Sequence, residues 1–236
     1  MNEYNSYQSR TLEVSRVFFR NVYTYMFAAL SISGILAYLV GTNEEYFVSL
    51  FVSASGGISM MFYVVMFSPL LLVFAIQMGM ERMSLSTLTL LYILYSVLMG
   101  LSLSTIFIVY PLASIASTFF VSAGAFAGMA FLGYTTQVDL TKFGSLLYMV
   151  LIGMIIASLI NFFVGSSQMD FIIACLGVFV FTGLTAYQMQ QLKRMSEQPG
   201  LSGEMMQKVA LIGGLQLYIL FVNLFLSLLR LLGGRD

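Results

Sequence analysis

The residues that could do chemistry in this chain are few, and all sit where a polar group needs a partner. Gln188 and Thr185 lie in the apolar stretch Phe171 to Met195, and Gln216 and Asn223 lie in the run Val209 to Leu232. On a helix, positions spaced i, i+4, i+7 and i+11 share a face. Gln216, Leu220, Asn223 and Ser227 follow that spacing, as do Phe181, Thr185, Gln188 and Leu192. Asn161, in SLINFF, is a further isolated amide. An amide in hydrocarbon is costly unless hydrogen-bonded, so Gln188, Asn223 and Asn161 are expected to face inward and bond across helices. Such a set can serve as helix-to-helix glue or line a hydrated path; the residue types alone favour glue.

The inventory removes other chemistries. The sequence has no histidine and a single cysteine, Cys175. This excludes a disulfide framework, a thiol redox pair and any histidine-dependent metal site or triad. Apart from Arg230, no Asp, Glu, Lys or Arg falls within an expected span. A proton relay and an intramembrane aspartyl protease both need such groups, and a membrane serine protease needs a base. No enzymatic activity, cofactor or protein-built metal site is expected. Ten basic residues balance ten acidic ones, which gives nucleic acid no basic patch to bind.

The elements that must position these residues are membrane spans. The chain is 59% hydrophobic and 8% charged, against about 25% charged in soluble domains. An apolar run of about 20 residues crosses the ~30 Å hydrocarbon core as one helix. Such runs occur near Val22 to Val40, Met61 to Met80, Thr87 to Val109, Ile115 to Leu132, Gly144 to Val164, Phe171 to Gln191 and Val209 to Leu232. The sequence thus predicts an all-α polytopic membrane protein with seven spans, its partner the lipid bilayer. Tyr46 to Met80 is too long for one span and too short for a hairpin of two, so Gly56 and Gly57 should divide it into an interfacial segment and a true span.

Charge placement orients the spans. With the N-terminus in the cytoplasm and the C-terminus outside, Arg10, Arg16, Arg20, Arg82, Lys142, Lys193, Arg194 and Lys208 all fall on the cytoplasmic side. Only Arg230 and Arg235 oppose this. The polar start lacks the layout of a signal peptide. The expected organisation is a cytoplasmic tail over residues 1–21 and one transmembrane domain over 22–233, acting as a monomer. Pro199 and Gly200 mark the longest polar connection.

Small and polar residues within the spans have structural readings. Gly124 and Gly128, spaced small-xxx-small, are expected to let two helices approach inside the bundle. Ser102, Ser104 and Thr105 can bond back to their own helix carbonyls, and Pro69 should kink or start the second span.

FTGLTAYQMQQLKRM, LLYILYSVLMGLSLSTIFIVY, GYTTQVDLTKFG and LYILFVNLFLSLLR resemble the corresponding segments of the Bax inhibitor family of seven-span proteins, particularly its bacterial branch. The resemblance runs from about Arg20 to Gly233. It implies six helices surrounding the last one, a bacterial inner membrane location and a pH-sensitive calcium leak gated by an aspartate pair on the sixth and seventh helices. A nearby arginine on the second helix helps hold the family's closed state, and Arg82 resembles it. At the two aspartate positions this sequence has Gln188, after the AY step, and Leu220, in LYILF. Neither titrates or offers calcium an anionic oxygen. The expectation is a passive leak without acid gating; the alternative, also implied by the resemblance, is a regulator that binds a membrane-anchored ATP-dependent protease through the N-terminal tail.

Overall fold

A computed structural model describes residues 2–53, 56–198 and 203–234, with side chains from Glu13 onward. Its helices are α1 (Asn2–Gly41), α2 (Glu44–Phe51), α3 (Met60–Gly79), α4 (Leu85–Leu103), α5 (Ile106–Val109), α6 (Leu112–Thr135), α7 (Thr141–Val164), α8 (Ser167–Ser196) and α9 (Gly203–Leu232). Seven segments are long and apolar enough to cross a membrane, α4 and α5 together forming the third. These are the seven expected spans, six of them longer than expected and the second, Met60–Gly79, shifted by one residue. No sheet occurs among the described residues, where an isolated bridge pairs Val52 with Ile58. The last helix is the most buried of the seven. Residues 2–21, expected as a tail, have helical backbone continuous with the first span. Met1, the side chains up to Leu12, and Pro199, Gly200 and Arg235 lie outside the described residues.

The chain divides into two compact units. The first comprises residues 1–110 with 200–215, and the second 111–199 with 216–235, so α9 contributes residues 203–215 to the first and 216–232 to the second.

In the first unit, α1 and α4 cross closely: a Cβ at Gly100 would lie 2.8 Å from the Ser33 Cα. The Tyr92 hydroxyl donates to the Tyr25 carbonyl at 3.0 Å across the same pair. The division of Tyr46 to Met80 is as expected. Asn43 caps α2 by accepting from the Tyr46 N–H, and Glu44 and Glu45 occupy the first turn, where carboxylates suit the helix dipole. Phe47, Leu50 and Phe51 of α2 pack against Val40, Val65 and Leu98. Gly56 then turns the chain at φ 81°, a backbone conformation open to glycine, before Ser59 caps α3. Pro69 lies buried inside α3 rather than at its start. Ser104 and Thr105 bond back to the Leu101 and Ser102 carbonyls at 2.6 and 2.8 Å, near the break between α4 and α5. Ser102 instead donates to the Met66 sulfur at 3.2 Å, tying α4 to α3.

In the second unit, α8 packs on both α6 and α7. Here the expected role of Gly124 and Gly128 is corrected. Both are exposed, and a Cβ on either would meet nothing within 4 Å. The inward stripe of α6 is Ser122, Phe126, Ala130 and Gly133, which turns Gly124 and Gly128 about 200° away from Ser122 and Phe126. Gly133 makes the close crossing instead: a Cβ there would lie 2.6 Å from the Ala186 Cα of α8. Gly144 gives room to the Tyr187 ring, and Gly183 to Leu147.

A strap fixes the C-terminal third of α8 to the connection between α6 and α7. Gln190, nearly fully buried, accepts from the Leu140 N–H at 2.9 Å and donates to the Val138 carbonyl at 2.7 Å. Lys193 donates to the Tyr134 carbonyl at 3.0 Å and lies over its ring. Arg194 pairs with Asp139 at 2.8 Å. Hydrogen bonds from the Thr141 hydroxyl and N–H, then from Arg194, hold the Asp139 carboxyl well below the usual carboxylate range.

Two outcomes follow from this packing. Gly133→Val should sharply lower the melting temperature of the detergent-solubilised protein, because backbone cannot move aside, whereas Gly128→Ala should leave it unchanged or slightly raised, exposed helical Gly→Ala being worth up to about 1 kcal/mol. Because the folded-state pKa of Asp139 is depressed, its contribution is present above the unfolded value of about 3.9 and is lost as pH falls through the folded value. Wild type and Asp139→Asn should therefore differ in melting temperature by a constant amount from pH 7 to about pH 5, and converge only in stronger acid.

Candidate functional site

The amide face of α8 meets α9 within the second unit. Gln188 is 5% exposed, and its Nε2 donates to Gln216 Oε1 at 2.5 Å. This is the cross-helix amide bond that the spacing called for, with a different partner. Asn223, expected to pair across helices, donates to the Ile219 carbonyl of its own helix at 2.8 Å. Asn161 likewise stays local: its Oδ1 accepts from the Ser166 N–H at 3.0 Å and closes the end of α7, where Gly165 adopts φ 69°. The reason is reach. An asparagine amide is one methylene shorter than a glutamine amide, and the carbonyl four residues back is the nearest acceptor on its own helix.

The other members of the two stripes are buried as expected, and are satisfied or apolar. Thr185 is fully buried and donates to the Phe181 carbonyl at 2.7 Å. Ser227 does the same to Asn223 at 2.8 Å, as does the half-buried Thr182, beside the α8 stripe, to Val178 at 2.7 Å. These hydroxyls need no partner from another helix. Leu220 is 8% exposed, one turn beyond Gln216 on the same face. Next to it Phe221 meets the rings of Phe119 and Phe126 at centroid distances of 5.4 and 5.6 Å, in edge-to-face arrangements. These rings pack the turn of α9 that carries Leu220 against α6.

Arg82 belongs to the first unit, in the turn between α3 and α4. Its side chain is exposed, and it forms no ion pair among the described residues. In the same unit Glu204, at the start of α9, accepts from the Leu85 N–H at 3.3 Å and pairs with Lys208 at 3.1 Å. The turn bearing Arg82 is thus fastened by the neighbouring carboxylate rather than by the arginine. Arg230, which opposes the charge rule, pairs with Asp170 at 3.8 Å within the second unit.

Chemically, the α8–α9 contact is a neutral amide pair beside a buried leucine. It supplies carbonyl oxygens and N–H groups and no anionic oxygen. No group of three or more Cys, Asp or Glu residues capable of holding a metal occurs among the described residues. Sequence reasoning missed Gln190, whose two backbone bonds anchor α8 as firmly as Gln188 does. It lies two residues from Gln188, on nearly the opposite side of the helix, so a search along one face passes it by. The available signal was a second glutamine at the basic end of the span, across from a connection, TTQVD, whose backbone groups lack helical partners.

The chain matches the family described as Bax1-I, inhibitor of apoptosis-promoting Bax1, over residues 15–236. It is 41% identical over 228 residues to an uncharacterized protein of Borreliella burgdorferi, an alignment covering 97% of this chain and 96% of that protein. A protein of Caulobacter vibrioides is 37% identical over 247 aligned positions, with 99% of each chain covered. The inner membrane protein YbhL of Escherichia coli is 49% identical over 124 residues, which is 52% of this chain and 53% of YbhL. A family match over nearly the whole chain, joined to seven membrane-spanning helices in the expected order, places this protein in the Bax inhibitor family.

Proposed function

We propose that this protein is a passive cation leak of the bacterial inner membrane, with calcium as the ion, whose closed state rests on a neutral amide latch instead of an acid-sensitive carboxylate pair. The observation that carries the reading is the Gln188 to Gln216 hydrogen bond at 2.5 Å, with Leu220 buried one turn away. The family resemblance puts the gating aspartates at positions 188 and 220. A carboxylate pair changes its interaction with pH because like charges repel until one is protonated. An amide pair keeps one interaction energy across the physiological range, so opening loses its dependence on acid.

The inner membrane location is supported by the printed name of YbhL. The orientation, N-terminus in the cytoplasm and C-terminus outside, is supported by the side on which the basic residues gather and by Arg230, whose charge at the opposite side is paired with Asp170. Catalysis has no support in the residues buried along α8 and α9.

Magnitudes frame the test. Interhelical hydrogen bonds in membranes average about 0.6 kcal/mol and reach about 1.7 kcal/mol. A latch of that size biases a two-state equilibrium about 3- to 20-fold. Purified protein in calcium-loaded liposomes should release calcium faster than empty vesicles do, with a rate that is flat between about pH 6 and pH 8. Gln216→Leu should raise that rate about 3- to 20-fold. Absence of release from both proteins sinks the leak reading.

The double variant Gln188→Asp with Leu220→Asp tests the pair itself. Release from it should become pH-dependent, because two facing carboxylates share protons where the amide and leucine cannot. A flat profile would show that these positions do not form the gate.

A further inference from the structure

The α7–α8 pair carries a second feature, away from the amide latch. A groove of about 560 Å³ runs between the two helices, lined on α7 by Val150, Gly153, Met154 and Ala157, and on α8 by Met169, Ile173 and Leu176 among others. Small residues create it: a Cβ at Gly153 would meet nothing within 4 Å. Its volume lies within the ~300–1,000 Å³ range of sites that hold small molecules.

The polarity of the groove is graded. Ser166 and Gln168 stand at one end, where α7 has finished at Val164 and α8 has just begun at Ser167. Both spans therefore meet the membrane surface at that end. The Ser166 oxygen accepts the capping bond from the Met169 N–H, which leaves its hydroxyl proton free to donate. Gln168 is exposed and adds an amide donor. From this rim the walls are apolar as far as Leu176.

The length decides what fits. Ser166 to Leu176 is ten residues, or ~15 Å of helix, which is half of the ~30 Å hydrocarbon core. On α7 the lining reaches back to Val150, fourteen residues before Val164 or ~21 Å, so the groove runs from the headgroup level through one leaflet and slightly beyond, open to lipid along its side.

We propose that this groove is a binding site for one glycerophospholipid, with an acyl chain lying between α7 and α8 and its ester or phosphate oxygens accepting from Ser166 and Gln168. Hydrocarbon surrounds the exposed faces of both spans, α7 being the least buried of the seven. A groove running through one leaflet with donors at the interface selects a chain bearing an acceptor-rich head over the smooth packing of bulk lipid.

The test is native mass spectrometry of the full-length protein in mild detergent, titrated with palmitoyl-oleoyl phosphatidylglycerol. Wild type should retain one lipid at concentrations where further adducts are absent. Gly153→Phe, which fills an open surface groove, should reduce retention at least ten-fold, with the melting temperature checked to show that the variant folds. Gln168→Leu keeps the groove and removes a donor, and should reduce retention about three-fold. Equal retention by wild type and Gly153→Phe overturns the proposal. So does a wild-type dimer that Gly153→Phe dissociates, which would make a second copy the occupant. Calcium flux is expected to proceed in Gly153→Phe, which separates a failure here from a failure of the leak reading.

Discussion

Hydrocarbon gives a polar group no solvent partner, and the second unit of this protein follows from that constraint. A helix satisfies its own backbone, so what remains is the small set of polar side chains the sequence places at depth. Hydroxyls solve the problem locally. Thr182, Thr185 and Ser227 each return a proton to the carbonyl four residues back. Asparagine does the same at 223. Glutamine at 188 is long enough to reach another helix, and its bond to Gln216 joins the buried faces of α8 and α9. One additional methylene separates a residue that serves its own helix from one that ties two together.

Much of the architecture was legible because membrane spans are written in composition. The seven runs appear in the right places, and the division of Tyr46 to Met80 at Gly56 follows from lengths alone. What composition could not supply was the rotation of each helix. In a soluble helix the polar face marks the outside; in α6 both faces are apolar, so Gly124 and Gly128 gave no sign of pointing outward. The inward stripe holds Ser122, Phe126, Ala130 and Gly133, a mixture of sizes that no small-residue rule selects. The close approach of α6 to α8 therefore falls at Gly133, a lone glycine outside the motif that drew notice.

The candidate site was legible to the same degree and failed for a related reason. Helical spacing correctly put Gln188 with Thr185 and Gln216 with Asn223. It fixes which residues share a face but not the axial register between two helices, so it could not say which turn of α9 lies opposite Gln188. Side-chain length breaks the tie, since the asparagine amide closes on Ile219 before it can span the gap.

The latch and the strap act on the same third of α8 from different sides. Gln188 fastens it to α9, while Gln190, Lys193 and Arg194, spread over little more than one turn, fasten it to the α6–α7 connection. Movement of α8 against α9 alone would break the amide bond and the partly exposed Arg230–Asp170 pair. Movement of α8 as a body away from both would break that bond together with the two bonds of the buried Gln190 amide, which is expensive to leave unpaired. The strap therefore makes α6, α7 and α8 one fastened group, which α9 meets through the Gln216 amide, the Phe221 ring and the Arg230–Asp170 pair. The Gly133 crossing, where backbone meets backbone, stiffens that group further. In the proposed leak, the contact between that group and α9 carries no titratable side chain at positions 188 and 220, where the family resemblance puts carboxylates, so its opening would need no proton.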